Sequence, residues 1–382
     1  MGLMNLKLCL VVSDVSSFNS LYRGQLEFLA DKGVSLTLIC GGSEEGFRKL
    51  RGRNVGMVHD FGITRRPSLF SDTLALFKLF FHFLFHRYDV VLITTPKAIL
   101  LGNLAAFFAA QRRRVVFFQG RVYENYSGWK RTLFLLLDQL AIRSAHESIF
   151  VSRSLLTRYI KDFPNLEHKF SVVGDGSGNG VSIQKFDPNS YSIEQKSEIR
   201  RSIGLEKDDF VVLSVGRVCK DKGVSDLLRV VESLAEYIKI KFVVLGPVDD
   251  GNSHELLGKM TSGGRVFYLG SVDDVAAYMA ISDLHLFLSH REGFGNVAIE
   301  AAAMGLPTIG YDVVGIKDSI NQKVSGYRYP FGDAEAVTKS ILSFFYDPDK
   351  AKGFRQPARD WVAEKFSDEK VWQNYLNFYL RR

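Results

Sequence analysis

Residues 284–308 read LHLFLSHREGFGNVAIEAAAMGLPT, and this stretch decides the fold of the half in which it lies. Its first residues are apolar apart from one histidine, which predicts a short buried strand. Gly293 and Gly295 then mark a turn, and a helix is expected to begin near Asn296. A strand, a glycine-containing turn and a helix in this order are typical of a parallel sheet covered by helices.

The same alternation of short apolar and longer amphipathic runs extends along the whole chain. In the first half it predicts strands at Leu6–Val12, Ser35–Cys40, Val90–Thr94, Arg114–Gln119 and Ser148–Val151, and helices at Tyr22–Lys32, Asp72–His86, Lys97–Ala110 and Lys130–Ser144. In the second half it predicts strands at Phe210–Val215, Lys241–Leu245, Val266–Tyr268, Leu284–Leu288 and Thr308–Tyr311, and helices at Val224–Tyr237, Val275–Ile281, Val297–Met304 and Ala334–Tyr346. We therefore expect an α/β protein with two Rossmann-like domains whose parallel sheets face each other across a cleft.

A glycine-rich segment separates the two halves. Residues 174–180 read GDGSGNG, and a polar stretch follows. Glycine at this density favours a loop or hinge. We expect a first domain at 1–190 and a second at 191–366. The last helix, at about 367–382, is a candidate to pack back on the first domain.

Composition excludes several classes of protein. The chain has 382 residues, of which 46% are hydrophobic and 24% charged, as in globular rather than disordered or collagen-like proteins. No apolar run is long enough to cross a bilayer. The 3 cysteines show no pairing, which argues against a disulfide framework or a zinc site. We read the first residues as a strand rather than a signal peptide, and expect a reducing, cytoplasmic setting.

Positive charge is concentrated in the first half. Residues 1–190 contain 24 Lys and Arg against 15 Asp and Glu, whereas residues 191–382 contain 25 against 27. This asymmetry suggests an anionic partner: nucleic acid, phospholipid headgroups or a phosphorylated substrate. The alternative is that the excess charge only solvates the surface.

Several catalytic motifs are absent from the sequence. No GxGxxG follows the first strand, which argues against a nicotinamide or flavin enzyme. There is also no GxxxxGK[ST] loop of a P-loop NTPase. The chain also lacks HExxH and the GxSxG elbow, so a tightly held catalytic metal and an α/β-hydrolase serine are not indicated.

The turn at 292–300 has the residues of an anion site. Gly293 and Gly295 lack a Cβ and allow main-chain amides to approach a ligand, and the helix that begins near Asn296 favours negative charge at its N-terminus. A diphosphate fits such a turn. Glu292 and Glu300 are too far apart to act as one pair, but each could accept hydrogen bonds from hydroxyls of one elongated ligand. Alternatively, both are solvated charges.

A second turn supplies cations. Ser214–Gly223 reads SVGRVCKDKG, again after a predicted strand and before a helix. Arg217 can bind phosphate through its guanidinium fork, and Lys222 provides a compact positive charge. Together they could neutralise a departing diphosphate without a metal ion. Alone, each could equally be a surface residue.

These features together resemble the retaining GT-B glycosyltransferases of family 4. The resemblance rests on the E-x7-E segment Glu292–Glu300, the preceding Arg217 and Lys222, and the two-domain layout. The first half is similar to bacterial members that build capsule, O-antigen and other lipid-linked glycans. The matching segments there are Thr95–Ala98 with Gly102, Gln119–Arg121, Ser127–Gly128 and Gly180–Phe186.

The resemblance implies a nucleotide diphosphate sugar as donor, most often a UDP-sugar, and no metal or other cofactor. Arg217 and Lys222 would bind the diphosphate, Glu300 the ribose and Glu292 the hydroxyls of a transferred hexose-type sugar. The remaining donor-binding residues implied are Gly216, Ser271, Val272, Gly293, Phe294, Gly295 and Asn296. Acceptor-side candidates are Gln119, Lys97, Asn19 and Arg23, and the acceptor would be a lipid-linked (polyprenyl diphosphate) saccharide.

Two positions depart from the family pattern. Many relatives have histidine where this chain has Gln119, and glutamine cannot carry a proton near neutral pH. The family's glycine-containing loop after the first strand is replaced by Ser16–Asn19.

One predicted helix is unusually aromatic. Leu74–Arg87 reads LALFKLFFHFLFHR, which indicates either a buried helix or a face that rests on a membrane. With Arg65, Arg66 and the run Arg112–Arg114, it predicts peripheral attachment to the anionic inner face of the cytoplasmic membrane. No nucleic-acid-binding module is recognisable.

Two other functions share this architecture. A non-hydrolysing sugar-nucleotide epimerase would convert the donor without any acceptor. A non-catalytic nucleotide-sugar-binding subunit would keep the fold without turnover, and Gln119 keeps this alternative open.

Overall fold

The structure is a computed structural model that describes residues 6–64 and 68–381. It divides into two compact units. Unit 1 comprises Met1–Gly180 and Asp368–Arg382, and unit 2 comprises Val181–Ser367. Arg65 and Arg66, which we expected to contact a membrane, lie outside the described residues.

Unit 1 is built on a seven-stranded parallel sheet in the order β3-β2-β1-β4-β5-β6-β7. Its strands are β1 (Lys7–Val11), β2 (Ser35–Cys40), β3 (Met57–Asp60), β4 (Val90–Thr94), β5 (Arg114–Phe118), β6 (Glu147–Phe150) and β7 (Phe170–Val172). Its helices up to Gly180 are α1 (Val15–Leu21), α2 (Gln25–Asp31), α3 (Glu44–Gly52), α4 (Leu69–Phe85), α5 (Pro96–Phe108), α6 (Gly128–Ser144) and α7 (Arg153–Asp162). The central strands are almost wholly buried, because helices cover both faces of such a sheet.

Unit 2 has a six-stranded parallel sheet in the order β10-β9-β8-β11-β12-β13. Its strands are β8 (Phe210–Val215), β9 (Ile240–Leu245), β10 (Val266–Gly270), β11 (Leu284–Phe287), β12 (Thr308–Tyr311) and β13 (Gly326–Tyr329). Its helices are α8 (Ile193–Ser202), α9 (Val224–Ser233), α10 (Gly251–Thr261), α11 (Val275–Ala280), α12 (Asn296–Ala303), α13 (Ile316–Ser319), α14 (Ala334–Tyr346) and α15 (Pro348–Phe366). The expectation of two Rossmann-like α/β halves is confirmed.

The predicted helix at Tyr22–Lys32 is wrong in its first residues. Helix α1 ends at Leu21 and α2 begins only at Gln25, after Gly24, which has a φ of 79°. A left-handed residue cannot continue a right-handed helix, so the chain changes direction at this glycine.

The boundary between the units differs from the one predicted at 190. The Val181 amide donates to the Phe366 carbonyl at 2.9 Å, so the chain joins unit 2 directly after the glycine-rich segment. The final helix α16 (Asp368–Leu380) belongs to unit 1, where the Trp372 indole N–H donates to Asn179 Oδ1 at 2.8 Å. The glycine-rich segment is thus held by α16.

None of the helices within the described ranges is long and apolar enough to cross a membrane.

Candidate functional site

Strand order in unit 2 reverses between β8 and β11, which lie side by side although β9 and β10 come between them in sequence. Ligands of open α/β sheets bind at this switch point, beyond the carboxyl ends of the strands. The turn after β8 and the turn after β11 meet there. A small cavity of about 30 Å³ lies at this edge, and Gly216, Arg217 and Lys222 are among its lining residues. Both predicted cations therefore lie at this edge of the sheet.

The two turns are locked together by main-chain contacts. The His290 amide donates to the Asp221 carbonyl at 2.9 Å, and the Ser289 hydroxyl donates to the same oxygen at 3.2 Å. Gly223, with a φ of 78°, approaches the other turn so closely that a Cβ there would lie 2.1 Å from the Leu288 carbonyl oxygen. Only glycine fits this crossing. The backbone thereby fixes the spacing of Lys222 and Glu292.

Side chains reinforce the same junction. Arg291 Nε donates to Asp221 Oδ2 at 2.9 Å. On the other side, His290 Nε2 is 2.6 Å from Oδ2 of Asp226, a carboxylate that is only 2% exposed. The ring of Phe331 packs edge-on against the imidazole at 4.9 Å between centroids. The Arg291–Asp221 ion pair and the His290–Asp226 hydrogen bond thus help to hold the two turns that carry Lys222 and Glu292.

Both predicted diphosphate-binding cations are paired with carboxylates. The Lys222 ammonium donates to Glu292 Oε1. The Arg217 guanidinium donates to Oδ2 of Asp249, in the loop between β9 and α10. Lys222 and Glu292 are mostly buried, whereas the Arg217 side chain is about half exposed. A ligand anion that binds these cations therefore competes with carboxylates already present.

The glycine turn before α12 has the predicted form. Gly295 has a φ of 89° and is followed by α12 at Asn296. The ring of Phe294 is buried and packs against Phe366 at 5.2 Å, so only the main chain of Phe294 remains for a ligand. Gly293 lies in the same turn, one residue after Glu292.

Glu300 lies one helical turn into α12 and is partly buried. Burial raises the pKa of its carboxyl to about 7, and the positive charge of Lys185 opposes the shift. Glu300 is therefore a group whose charge changes near neutral pH. It is separated along the helix from the Lys222–Glu292 pair, as the sequence spacing predicts.

The remaining donor-side candidates line the same edge. Ser271 and Val272 follow β10, and the preceding Gly270 carbonyl accepts from the Gly246 amide, after β9, at 2.7 Å. Gly216 begins the turn after β8, and a Cβ there would meet no atom within 4 Å. The loops after β8, β9 and β10 are thus neighbours.

Two of the four acceptor-side candidates in unit 1 have structural partners. The Lys97 ammonium pairs with Asp72 Oδ1 at 2.5 Å and donates to Thr64 Oγ1 at 3.1 Å, which ties α5 to α4. The Asn19 amide donates to the Gly46 carbonyl at 3.0 Å and ties α1 to α3. These contacts explain both residues without a ligand.

Gln119 and Arg23 lie at the carboxyl edge of the unit 1 sheet. Gln119 directly follows β5 and lies beside the hydroxyl of Tyr22; burial raises the pKa of that hydroxyl and Gln119 opposes the rise. Arg23 is exposed, and its carbonyl accepts from Asn179 at 2.9 Å.

A helical layer on one face of the unit 1 sheet exposes an apolar surface, which we call the α4–α6 surface. Helix α5 packs against both α4 and α6. The apolar side chains of this layer that are more than half exposed are Leu69, Phe70, Phe77, Phe81, Phe85, Phe108, Trp129 and Leu136. The aromatic run of α4, expected to be either buried or membrane-facing, therefore has one buried and one exposed face. Ala75, Leu79 and Phe83 are on the buried face.

The arginine run expected to contact a membrane is mostly engaged within unit 1. Arg113 donates to Glu147 Oε1 at 2.6 Å and to the Phe378 carbonyl at 3.0 Å. Arg114 donates to the Ser144 carbonyl at 3.0 Å. The prediction was wrong for these two residues, because it took consecutive arginines for a continuous exposed patch.

Sequence reasoning missed the carboxylates and the histidine that hold the site residues. Asp221, Asp226, Asp249, His290 and Arg291 all lie in or beside the predicted turns, but only the folded chain shows which charges meet. Within residues 6–64 and 68–381, no group of three or more His, Cys, Asp and Glu could hold a metal ion.

Two family models match most of this architecture. The model described as "Glycosyl transferases group 1" matches residues 195–361, which include the site, and the "Glycosyl transferase 4-like domain" matches residues 22–167. The chain is also 30% identical over 370 residues to the capsular polysaccharide biosynthesis glycosyltransferase CapM of Staphylococcus aureus, covering 96% of this chain and 94% of CapM. The chain belongs to glycosyltransferase family 4.

More distant matches agree with the fold of this glycosyltransferase. The crystal structure of HepE from Anabaena, in complex with UDP, superposes with a TM-score of 0.79 at 20% identity, covering 98% of this chain and 99% of HepE. The N,N'-diacetylbacillosaminyl-diphospho-undecaprenol alpha-1,3-N-acetylgalactosaminyltransferase of Campylobacter jejuni is 25% identical over 299 residues and covers 77% of each chain. The resemblance to the GT-B glycosyltransferases of family 4 is confirmed.

Proposed function

We propose that this glycosyltransferase moves a hexose-type sugar from a UDP-sugar to a hydroxyl of a lipid-linked saccharide, in the synthesis of a cell-surface polysaccharide. The observation that carries the proposal is the meeting of two turns at the β8–β11 switch point, where Arg217 and Lys222 lie beside a small cavity. Two cations at this edge can stabilise the negative charge of a diphosphate. A nucleoside diphosphate is the leaving group of such a reaction.

The chemistry rests on stabilising the charge that develops on the diphosphate. Arg217 and Lys222 would contact its oxygens, and the main-chain amides before α12 would add their dipoles. These groups need no metal ion to neutralise the leaving group, so we propose metal-independent transfer. Glu292 would then exchange the Lys222 ammonium for the hydroxyls of the sugar, and Glu300 would accept hydrogen bonds from the ribose.

The choice of UDP as the nucleotide, and of transfer that retains the anomeric configuration, is supported by similarity to other glycosyltransferases. HepE, which shares the fold, is described in complex with UDP and with UDP-glucose. The E-x7-E arrangement of Glu292 and Glu300 is the one found in the retaining members of the family. Gln119 occupies a position where many members have histidine and could hydrogen-bond a sugar but not take its proton.

The proposed acceptor is a polyprenyl diphosphate saccharide. Support comes from the relatives: CapM is described as acting in capsular polysaccharide biosynthesis, and the Campylobacter jejuni relative is described with a diphospho-undecaprenol substrate. An acceptor of this kind is anchored in a bilayer, so its enzyme must work at the membrane surface.

The α4–α6 surface supports membrane contact. Phe70 and Phe85 on α4 are 84% and 76% exposed, and Trp129 on α6 is 72% exposed. Exposed apolar patches of this extent are rare on monomeric proteins unless they bind something. The acids of the two helices are Asp72, paired with Lys97, and Asp138, which accepts from the Tyr159 hydroxyl at 2.7 Å. The surface is therefore apolar, with basic residues such as Lys78 and Lys130 exposed on the same helices, and it suits an anionic bilayer at the cytoplasmic side.

The membrane proposal is tested by sedimentation with vesicles. We expect binding to vesicles that contain phosphatidylglycerol and weaker binding to pure phosphatidylcholine, and high salt should reduce the former. A variant with both Phe77→Ser and Phe81→Ser should lose most of its binding, whereas Ile193→Ser, which removes an exposed apolar side chain in unit 2, should not. Equal binding by all three proteins would contradict the proposal.

The catalytic proposal is tested by transfer of radiolabelled sugar from UDP-sugars to polyprenyl diphosphate saccharides. Lys222→Ala and Glu292→Ala should each reduce kcat/KM by about 100-fold or more, because both remove groups at the reacting end of the donor. The control is Lys239→Ala, since Lys239 pairs with Glu206 at the opposite, amino-terminal end of β9. Unchanged transfer by the two site variants would refute the assignment.

The family assignment favours transfer over the two alternatives. Incubation with donor alone tests for an epimerase, which would convert the sugar without an acceptor. Incubation with donor and a lipid-linked acceptor tests for a non-catalytic subunit, which would bind the donor without any transfer.

A further inference from the structure

Asp249 is held beside Arg217 by the backbone. The loop after β9 continues alongside the loop after β8, and Val218 and Val248 form a parallel bridge. The Val218 amide donates to the Pro247 carbonyl at 2.8 Å, and the Asp249 amide donates to the Val218 carbonyl at 3.2 Å. These bonds place the Asp249 carboxylate next to the guanidinium of Arg217, which lines the cavity.

The two cations of the site differ in their partners. Lys222 pairs with Glu292, which the proposed reaction itself uses at the sugar. Arg217 pairs with Asp249, which has no such role, and the neighbouring Asp250 caps α10 instead. The negative charge of Asp249 therefore lies beside the guanidinium that an anionic ligand would need to contact.

We propose that Asp249 acts as an internal competitor of the diphosphate, lowering the affinity of the site for UDP and so speeding release of the product. The inference rests on the proposed function, because it needs the diphosphate to bind at Arg217. When UDP is bound, the guanidinium turns from the carboxylate to phosphate oxygens, and when UDP leaves, Asp249 replaces it. A fixed intramolecular carboxylate of this kind weakens the binding of donor and of product alike. It thereby keeps the site from being saturated by product.

The test is titration calorimetry with UDP itself. Asp249→Asn keeps the size of the side chain and removes its charge, so UDP should bind about two- to fivefold more tightly, the size expected for losing one partly exposed ion pair. In an assay where product release limits turnover, the same variant should show a lower kcat together with a lower KM. The matched control is Glu206→Gln, which neutralises an exposed carboxylate paired with Lys239 away from the site and should leave UDP affinity unchanged.

An Arg217→Ala background separates competition from general repulsion. If Asp249 acts through Arg217, adding Asp249→Asn there should change UDP affinity by less than twofold. Equal tightening in both backgrounds would overturn the proposal, as would unchanged or weaker UDP binding by Asp249→Asn alone, which would make Asp249 a residue that orients the guanidinium. Absence of UDP binding by the wild-type protein would instead overturn the proposed function along with this inference.

Discussion

Replacing Gly223 by alanine should disturb the junction that positions Lys222. At a φ of 78°, a residue with a Cβ is strained by about 1–2 kcal/mol. The new methyl group would lie 2.1 Å from the Leu288 carbonyl oxygen, so the backbone must move, which adds about 1–3 kcal/mol. We expect unit 2 to lose about 2–5 kcal/mol of unfolding free energy in total. Movement of this turn also shifts Lys222, and UDP affinity should fall about tenfold or more.

Gly258→Ala is the matched control for this substitution. Gly258 lies in α10, and a Cβ there would meet no atom within 4 Å. The substitution should therefore stabilise unit 2 by about 0.5–1 kcal/mol, because alanine favours the helix more than glycine does. Both variants are compared by urea unfolding and by UDP titration. The reasoning is refuted if Gly223→Ala unfolds at the same urea concentration as Gly258→Ala and binds UDP like the wild type.

Three further outcomes follow from the site. Because the pKa of Glu300 is raised from 4.5 to about 7 by burial, the unfolding free energy should fall as pH rises through this interval, and Glu300→Gln should flatten that part of the profile in urea titrations at several pH values. Arg291→Ala removes the ion pair to Asp221 and should lower kcat/KM about three- to tenfold, with Arg291→Lys intermediate; full activity in Arg291→Ala would show that the backbone bonds suffice. Transfer should survive EDTA, and loss of activity that manganese restores would contradict metal independence.

The central strands could be predicted from the sequence because they are buried on both faces. Continuous short apolar runs such as Val90–Thr94 indicate a buried strand. The edge strands β3, β7 and β13 were missed, since their side chains are largely half-exposed and their short sequences, such as MVHD at Met57–Asp60, alternate or mix polar residues. Edge strands are defined by their neighbour in the sheet more than by their own composition.

The chemistry of the site could be predicted only as far as single turns. The glycines and charges after β8 and β11 were visible, and parallel sheets bring such turns to one edge. The pairing of Arg217 with Asp249, and of Lys222 with Glu292, depends on which loops become neighbours. For the same reason Arg113 was taken for a surface residue, although Glu147 lies 34 residues further along the chain and binds its guanidinium.

The central claim is that the carboxyl edge of the unit 2 sheet holds the donor diphosphate through Arg217 and Lys222. The most direct measurement is a crystal structure of the protein soaked with UDP. We predict phosphate oxygens within hydrogen-bonding distance of both side chains, with the ribose near Glu300. UDP bound elsewhere, with the Lys222–Glu292 and Arg217–Asp249 pairs intact, would contradict it.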